Sequence, residues 1–182
     1  MIRLKKLSEL TQIEKIKLFS VLGFIITIIL GTLNHFVYEW TGENTFVGLF
    51  AATNESIWEH IKLALFPMFL IFLVGGFLFY RKVNNYFLAV FSGLSVTVAS
   101  IILVFMGYTV FTRKAIFPID LANFLISIAL GYWTAYRIFF LPKYKWLNYV
   151  SIIGILFILG VFLTCTYHAP NVFIFKELYV NH

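Results

Sequence analysis

The chain has 182 residues, of which 61% are hydrophobic, 20% aromatic and only 12% charged, with a mean hydropathy of +0.91. So little polar surface excludes a water-facing globule and indicates an integral membrane protein. The net charge of +6 resides in short Lys and Arg patches flanking apolar runs, which is a topology signal and not a nucleic-acid footprint.

Taken in chain order, residues 1–17 are too charged for a removed signal peptide and lack a small-residue cleavage pattern, so a basic amphipathic cytoplasmic segment is expected there. Five apolar runs follow, at about 18–39, 57–80, 86–111, 117–140 and 147–167. Each has the roughly 20 residues that a helix needs to cross about 30 Å of hydrocarbon. Alternating strand patterns are absent, so the expected fold is all-α, a single polytopic bundle of about five transmembrane helices. Short connections at 81–85, 112–116 and 141–146 make consecutive helices antiparallel neighbours. The longer segment 41–53 begins with Gly42, Glu43 and Asn44 as turn chemistry and continues into apolar 46–52, a stretch suited to lie over the bundle as a lid. Cys165 stands in an apolar run as the single cysteine, which leaves no intramolecular disulfide and no thiolate metal cage.

The positive-inside bias puts the N-terminus in the cytoplasm. Arg3, Lys5, Lys6, Lys15, Lys17, Arg81, Lys82, Arg137, Lys143 and Lys145 then lie inside, and an odd number of spans leaves the C-terminus outside. With that topology His35, Glu39, Glu55, Glu59, His60, Asp120 and His168 gather at the outer ends of the spans. Ionisable groups at membrane depth cost free energy unless paired, hydrated or metal-bound, so their convergence marks a candidate site.

His35 and Glu39 are four apart and share a helical face, a spacing that offers two ligands to one ion or a carboxylate that merely holds an imidazole. In the stretch 54–62, Ser56 and Glu59 fit a capping box, which explains part of that motif as helix initiation. Glu55, Glu59 and Lys62 fall on one stripe, with His60 on the next. Lys62 either neutralises an acid or, as a catalytic group, polarises a substrate oxygen. Asp120, two residues after Pro118, suits a helix N-terminus and alternatively serves as general base or ligand. His168 closes the last span beside Tyr167. Three imidazoles from three helices with carboxylates nearby match the donor set of zinc or another divalent ion, although no diagnostic His-Glu-x-x-His is present. The expected ligands are His35, Glu39, Glu59 or His60, and His168, with Glu55 or Asp120 as acid/base.

The stretches Asn34-His35-Phe36-Val37-Tyr38-Glu39-Trp40, Asn54-Glu55-Ser56-x-Trp58-Glu59-His60-x-Lys62 and Tyr167-His168-x-Pro170 resemble a family of small bacterial integral membrane proteins known only as a domain of unknown function. The resemblance implies a multi-pass protein of the bacterial cell membrane with about five spans. A weaker likeness, to membrane hydrolases of the alkaline ceramidase and adiponectin receptor type, implies a three-histidine zinc site; the chain has fewer spans and lacks their paired histidines on the last helix. The expectation is a metal-dependent hydrolase or transferase acting on a lipid or lipid-linked substrate at the outer leaflet. An accessory or immunity-type protein with a structural polar network, and a small-solute or cation carrier, are the competing readings. Membrane lipids are the expected partners, nucleic acid is not, and a homo-oligomer stays open.

Overall fold

A computed structural model describes residues 7–177; the basic positions Arg3, Lys5 and Lys6 lie outside the described residues. Among the described residues the architecture is all-helical: α1 (Gln12–Trp40), α2 (Thr45–Gly48), α3 (Ile57–Phe79), α4 (Tyr86–Thr112), α5 (Phe117–Phe139) and α6 (Lys145–Cys165). The four helices α1, α3, α4 and α6 are long and apolar enough to cross a membrane, and α5 equals α3 in length at 23 residues. The architecture is thus a helical bundle with four candidate membrane spans among the described residues. Large apolar side chains such as Phe77, Phe111, Leu103 and Ile153 stand exposed along these helices, as expected where the surrounding solvent is hydrocarbon.

The first helix begins earlier than the hydropathy run implies. Thr11 accepts from the Glu14 amide, and the Glu14 carboxylate accepts from the Thr11 amide, a reciprocal capping box that starts α1 at Gln12. From residue 12 onward the basic segment, with Lys15 and Lys17, therefore continues directly into the first long helix without a break.

Four helices form a ring: α1 packs on α3 and α5, and α4 closes the circle by packing on both α3 and α5. The remaining long helix, α6, lies against α4 outside that ring. Small residues set the close approaches. Gly31 of α1 lies against the Leu63 backbone of α3 with no room for a Cβ, and Gly93 and Gly131 bring the backbones of α4 and α5 together. Gly75 instead meets the side chains of Phe19 and Tyr86.

Polar side chains between the helices are bonded to neighbouring helices. Thr27 pairs with the Tyr132 hydroxyl at 2.8 Å, Thr97 donates to the Ser127 carbonyl at 3.2 Å, and Asn123 donates to the Ile101 carbonyl at 3.0 Å. At one end of the bundle, fully buried Asn85 donates to the Leu141 and Pro142 carbonyls and accepts from the Tyr144 amide, locking two connections together. The opposite end, where α1 ends and α3 and α5 begin, carries the ionisable residues.

A methyl group at Gly31 must push against backbone, and overpacking of this kind costs about 1–3 kcal/mol. Gly31→Ala is expected to lower the thermal unfolding midpoint of the detergent-purified protein, whereas Gly107→Ala, which meets nothing within 4 Å, leaves it in place or raises it.

Candidate functional site: a histidine and carboxylate cluster at the rim of an apolar cavity

The segment joining α1 to α3 is shaped by its turn residues. Gly42 (φ +67°) and Glu43 (φ +58°) adopt left-handed backbone, and Asn44 then caps the single turn α2 by accepting from the Phe46 and Val47 amides. The chain beyond it is buried at Ala51 and Ala52, so the apolar stretch expected to lie over the bundle is in part built into it.

Two groups of ionisable side chains meet here, divided differently from the stripes that helical spacing suggests. The first is a buried ion pair. Lys62 Nζ lies 2.6 Å from a Glu59 carboxylate oxygen, with exposures of 0% and 2%. The ammonium also donates to the Gly48 carbonyl at 2.7 Å and to Thr166 at 3.1 Å, so its three N–H bonds find three acceptors. The same Glu59 oxygen accepts from both the amide and the hydroxyl of Thr53 at 2.9 Å. This network joins the connecting segment, the start of α3 and the end of α6. Ser56 still caps α3 through the Glu59 amide, but the reciprocal half of the expected capping box is replaced by the pair with Lys62.

The second group is His35, Glu55 and His60, whose ligand-bearing atoms all lie within 4.8 Å of one another. His60 Nε2 stands 3.4 Å from one Glu55 oxygen and His35 Nε2 3.9 Å from the other. The two imidazole rings meet edge to face, 5.2 Å between centroids. Glu55 precedes the Ser56 N-cap, so it is not on the helix, and helical spacing does not govern where its carboxylate goes. His60 Nδ1 lies 2.9 Å from the Ser56 carbonyl, a partner that can only accept, so Nδ1 carries the proton and Nε2 is turned to Glu55.

These three residues line a cavity of about 550 Å³ inside the four-helix ring, together with Asp120, Thr32, Phe36, Leu63, Ile101 and Phe124 among others. Asp120 accepts from the Tyr108 hydroxyl at 2.7 Å, and that hydroxyl accepts in turn from the Ile116 amide at 3.1 Å. No side chain caps the start of α5, so Asp120 serves the helix through its first-turn charge and the bundle through Tyr108.

Each expected site residue can thus be located. His35, His60, Glu55 and Asp120 share the cavity; Glu59 and Lys62 are committed to each other; Glu39 and His168 are exposed and stand outside the three-residue group. The contacts at the end of α6 come instead from Thr166, which receives Lys62, and from Tyr167, whose hydroxyl donates to the Thr45 carbonyl at 2.7 Å. Tyr108, Thr53 and Thr166 carry no local sequence signal, because their partners lie 12, 6 and 104 residues away.

Removing one partner of the buried pair leaves an uncompensated charge, a loss of about 3–5 kcal/mol. Lys62→Met is expected to destabilise by that order, and adding Glu59→Gln to it recovers part of the loss; chemical denaturation in micelles measures both.

No curated protein and no solved structure matches the chain. A family model, Family of unknown function (DUF6512), matches residues 7–181, nearly the whole length. The chain belongs to this family of unknown function.

Proposed function

We propose that the chain is a metal-dependent membrane hydrolase or transferase acting on a lipid or lipid-linked substrate, with His35, Glu55 and His60 as ligands of one zinc or similar divalent ion. The observation that carries this reading is the spacing of the three donors. Ligands at about 2.1 Å from a tetrahedral zinc stand roughly 3.4 Å from one another. The His60 and His35 nitrogens stand 3.4 and 3.9 Å from the two different Glu55 oxygens. One donor atom from each residue lies within 4.8 Å of the other two, close enough for a small side-chain shift to close them on one ion. Two histidines and a glutamate with a fourth position open is the donor set of catalytic zinc. The Ser56 carbonyl on His60 Nδ1 supplies the outer partner that a metal-bound imidazole ordinarily has.

Glu55 takes the ligand position for which spacing nominated Glu39 or Glu59, and Asp120 becomes the base. Held by His35, Glu55 and His60, the ion would supply Lewis-acid polarisation of a water; Asp120 would take that water's proton as its oxygen bonds to the substrate carbonyl carbon. The bond to the leaving oxygen or nitrogen breaks, and the proton passes from Asp120 to that atom. An alcohol in place of water makes the same sequence a transfer. Tyr108, hydrogen-bonded to Asp120, orients the carboxylate. Positive-inside counting supports placing this end of the bundle at the outer leaflet, with α5 as a fifth span.

Zinc analysis of the purified protein is expected to give about one ion per chain, the stoichiometry of a site with three protein ligands. His35→Ala and His60→Ala lose it, while Glu39→Ala and His168→Ala keep it. Negligible zinc in the wild type after zinc loading, or equal zinc in all five proteins, sinks the assignment.

Asp120→Asn separates binding from chemistry. It is expected to retain zinc and to release product from a total membrane-lipid extract about 10²- to 10⁴-fold more slowly than wild type, the range for loss of a general base. Unchanged turnover removes Asp120 from the reaction.

A further inference from the structure

We infer that the cavity is the seat of one amphiphile that enters sideways from the bilayer between α1 and α5, its oxygen-bearing head at His35, Glu55 and His60 and its apolar chain directed toward Leu63, Ile101 and Phe124. The placement of the head rests on the metal reading; the seat for the chain rests on the cavity itself.

Polarity in the cavity is graded along the helices. The ionisable residues His35, Glu55, His60 and Asp120 stand near the end of the bundle where α3 and α5 begin. One turn inward the lining is Gly31 on α1, Leu63 on α3 and Phe124 on α5. Ile101 lies seven residues before Tyr108, the partner of Asp120, about 10 Å below the rim at 1.5 Å per residue. The two polar side chains below the rim are occupied elsewhere. Thr32 donates to the Ile28 carbonyl, and Asn123 donates to Ile101 while accepting from Ser127. A guest therefore meets hydrocarbon inside and ionisable groups only at the rim, the reverse of what a sugar or amino acid requires.

The opening faces lipid. Thr32 and Phe36 on α1 and Phe117 and Leu121 on α5 line the cavity and are also exposed on the bundle surface, with Phe36 at 44%, Phe117 at 67% and Leu121 at 47%. In a membrane-spanning bundle such apolar exposure is contact with acyl chains. A lipid chain can pass between these side chains without crossing water. A volume of about 550 Å³ is within the range of small-molecule sites. An ion with three protein ligands accepts an oxygen atom at its open position; a carboxylate, the product of the proposed acyl cleavage, or a phosphate brings such an oxygen on the head of an amphiphile.

Photolabelling with palmitic acid bearing a diazirine at its terminal carbon tests the seat on the zinc-loaded wild-type protein in nanodiscs. Saturable labelling is expected on peptides containing Thr32, Leu63, Ile101 and Phe124, displaced by unlabelled palmitate or by palmitoyl lysophosphatidylglycerol. The better competitor identifies the head as carboxylate or phosphate. Thr32→Trp combined with Leu121→Trp fills the opening and is expected to weaken labelling at least about tenfold, some 1.4 kcal/mol, with zinc content unchanged. Wild-type labelling that does not saturate, or that is spread over the lipid-facing sides of α4 and α6, overturns the seat whether or not zinc is present. Saturable labelling of the cavity in a protein that holds no zinc upholds the seat and overturns the metal reading alone. Chelation of the wild type reads out the head: an unchanged half-saturating concentration overturns its contact with the ion, and an increase of about tenfold supports it.

Discussion

The pair between Lys62 and Glu59 is the contact on which the candidate site depends. Two opposite charges, withdrawn from solvent and 2.6 Å apart, are held by backbone and hydroxyl groups from three separate parts of the chain. A charge left alone at that depth is strongly unfavourable, so the segment that supplies Gly48 and Thr53 is drawn onto the start of α3. Glu55 lies two residues beyond Thr53 and is carried with it. The carboxylate that meets the two histidines therefore owes its position to an ion pair that does not itself touch them. The stretch 54–62 thus supplies members of both groups, Glu59 and Lys62 to the buried pair and Glu55 and His60 to the cluster that faces the cavity.

The membrane dictates the remaining economy of the fold. With apolar surface required outside, specificity inside comes from glycine contacts and from a few hydroxyls and amides bonded across helices. These bonds use the polar atoms of the interior for cohesion, which is why the cavity below the rim presents so few of them. The interhelical bonds lie along the length of the bundle, whereas the ionisable side chains gather at one end.

Much of this was legible in the amino-acid order, and the failures have identifiable physical causes. Helix positions follow from runs of about 20 apolar residues, so the starts of α3, α4 and α5 coincide with the expected ones. Gathering His35, His60, Glu55 and Asp120 at one end needed only antiparallel connectivity. Helical arithmetic misled at Glu55, because α3 begins only after the Ser56 cap and leaves Glu55 outside the helix. It misled again at Glu39, which shares a face with His35 but stands exposed a turn further along α1. His168 stood out for its place at the outer end of the last span, yet the neighbouring Thr166 and Tyr167 make the contacts. Pairings such as Tyr108 with Asp120 depend on how α4 and α5 pack, which residue spacing along either helix does not encode.

The bridge between Ser56 and Glu177, with Phe175 and Phe162 flanking Trp58, joins the beginning of α3 to chain synthesised more than a hundred residues later. Thr166 adds a further late contact, on Lys62. During translation α1 and α3 are in the membrane well before these partners leave the ribosome. The connecting segment with Glu55 is therefore held in part by chain that follows it by more than a hundred residues. A chain that stops before these residues has both histidines and Glu55 but lacks the contacts of Thr166, Phe162, Phe175 and Glu177 on the start of α3.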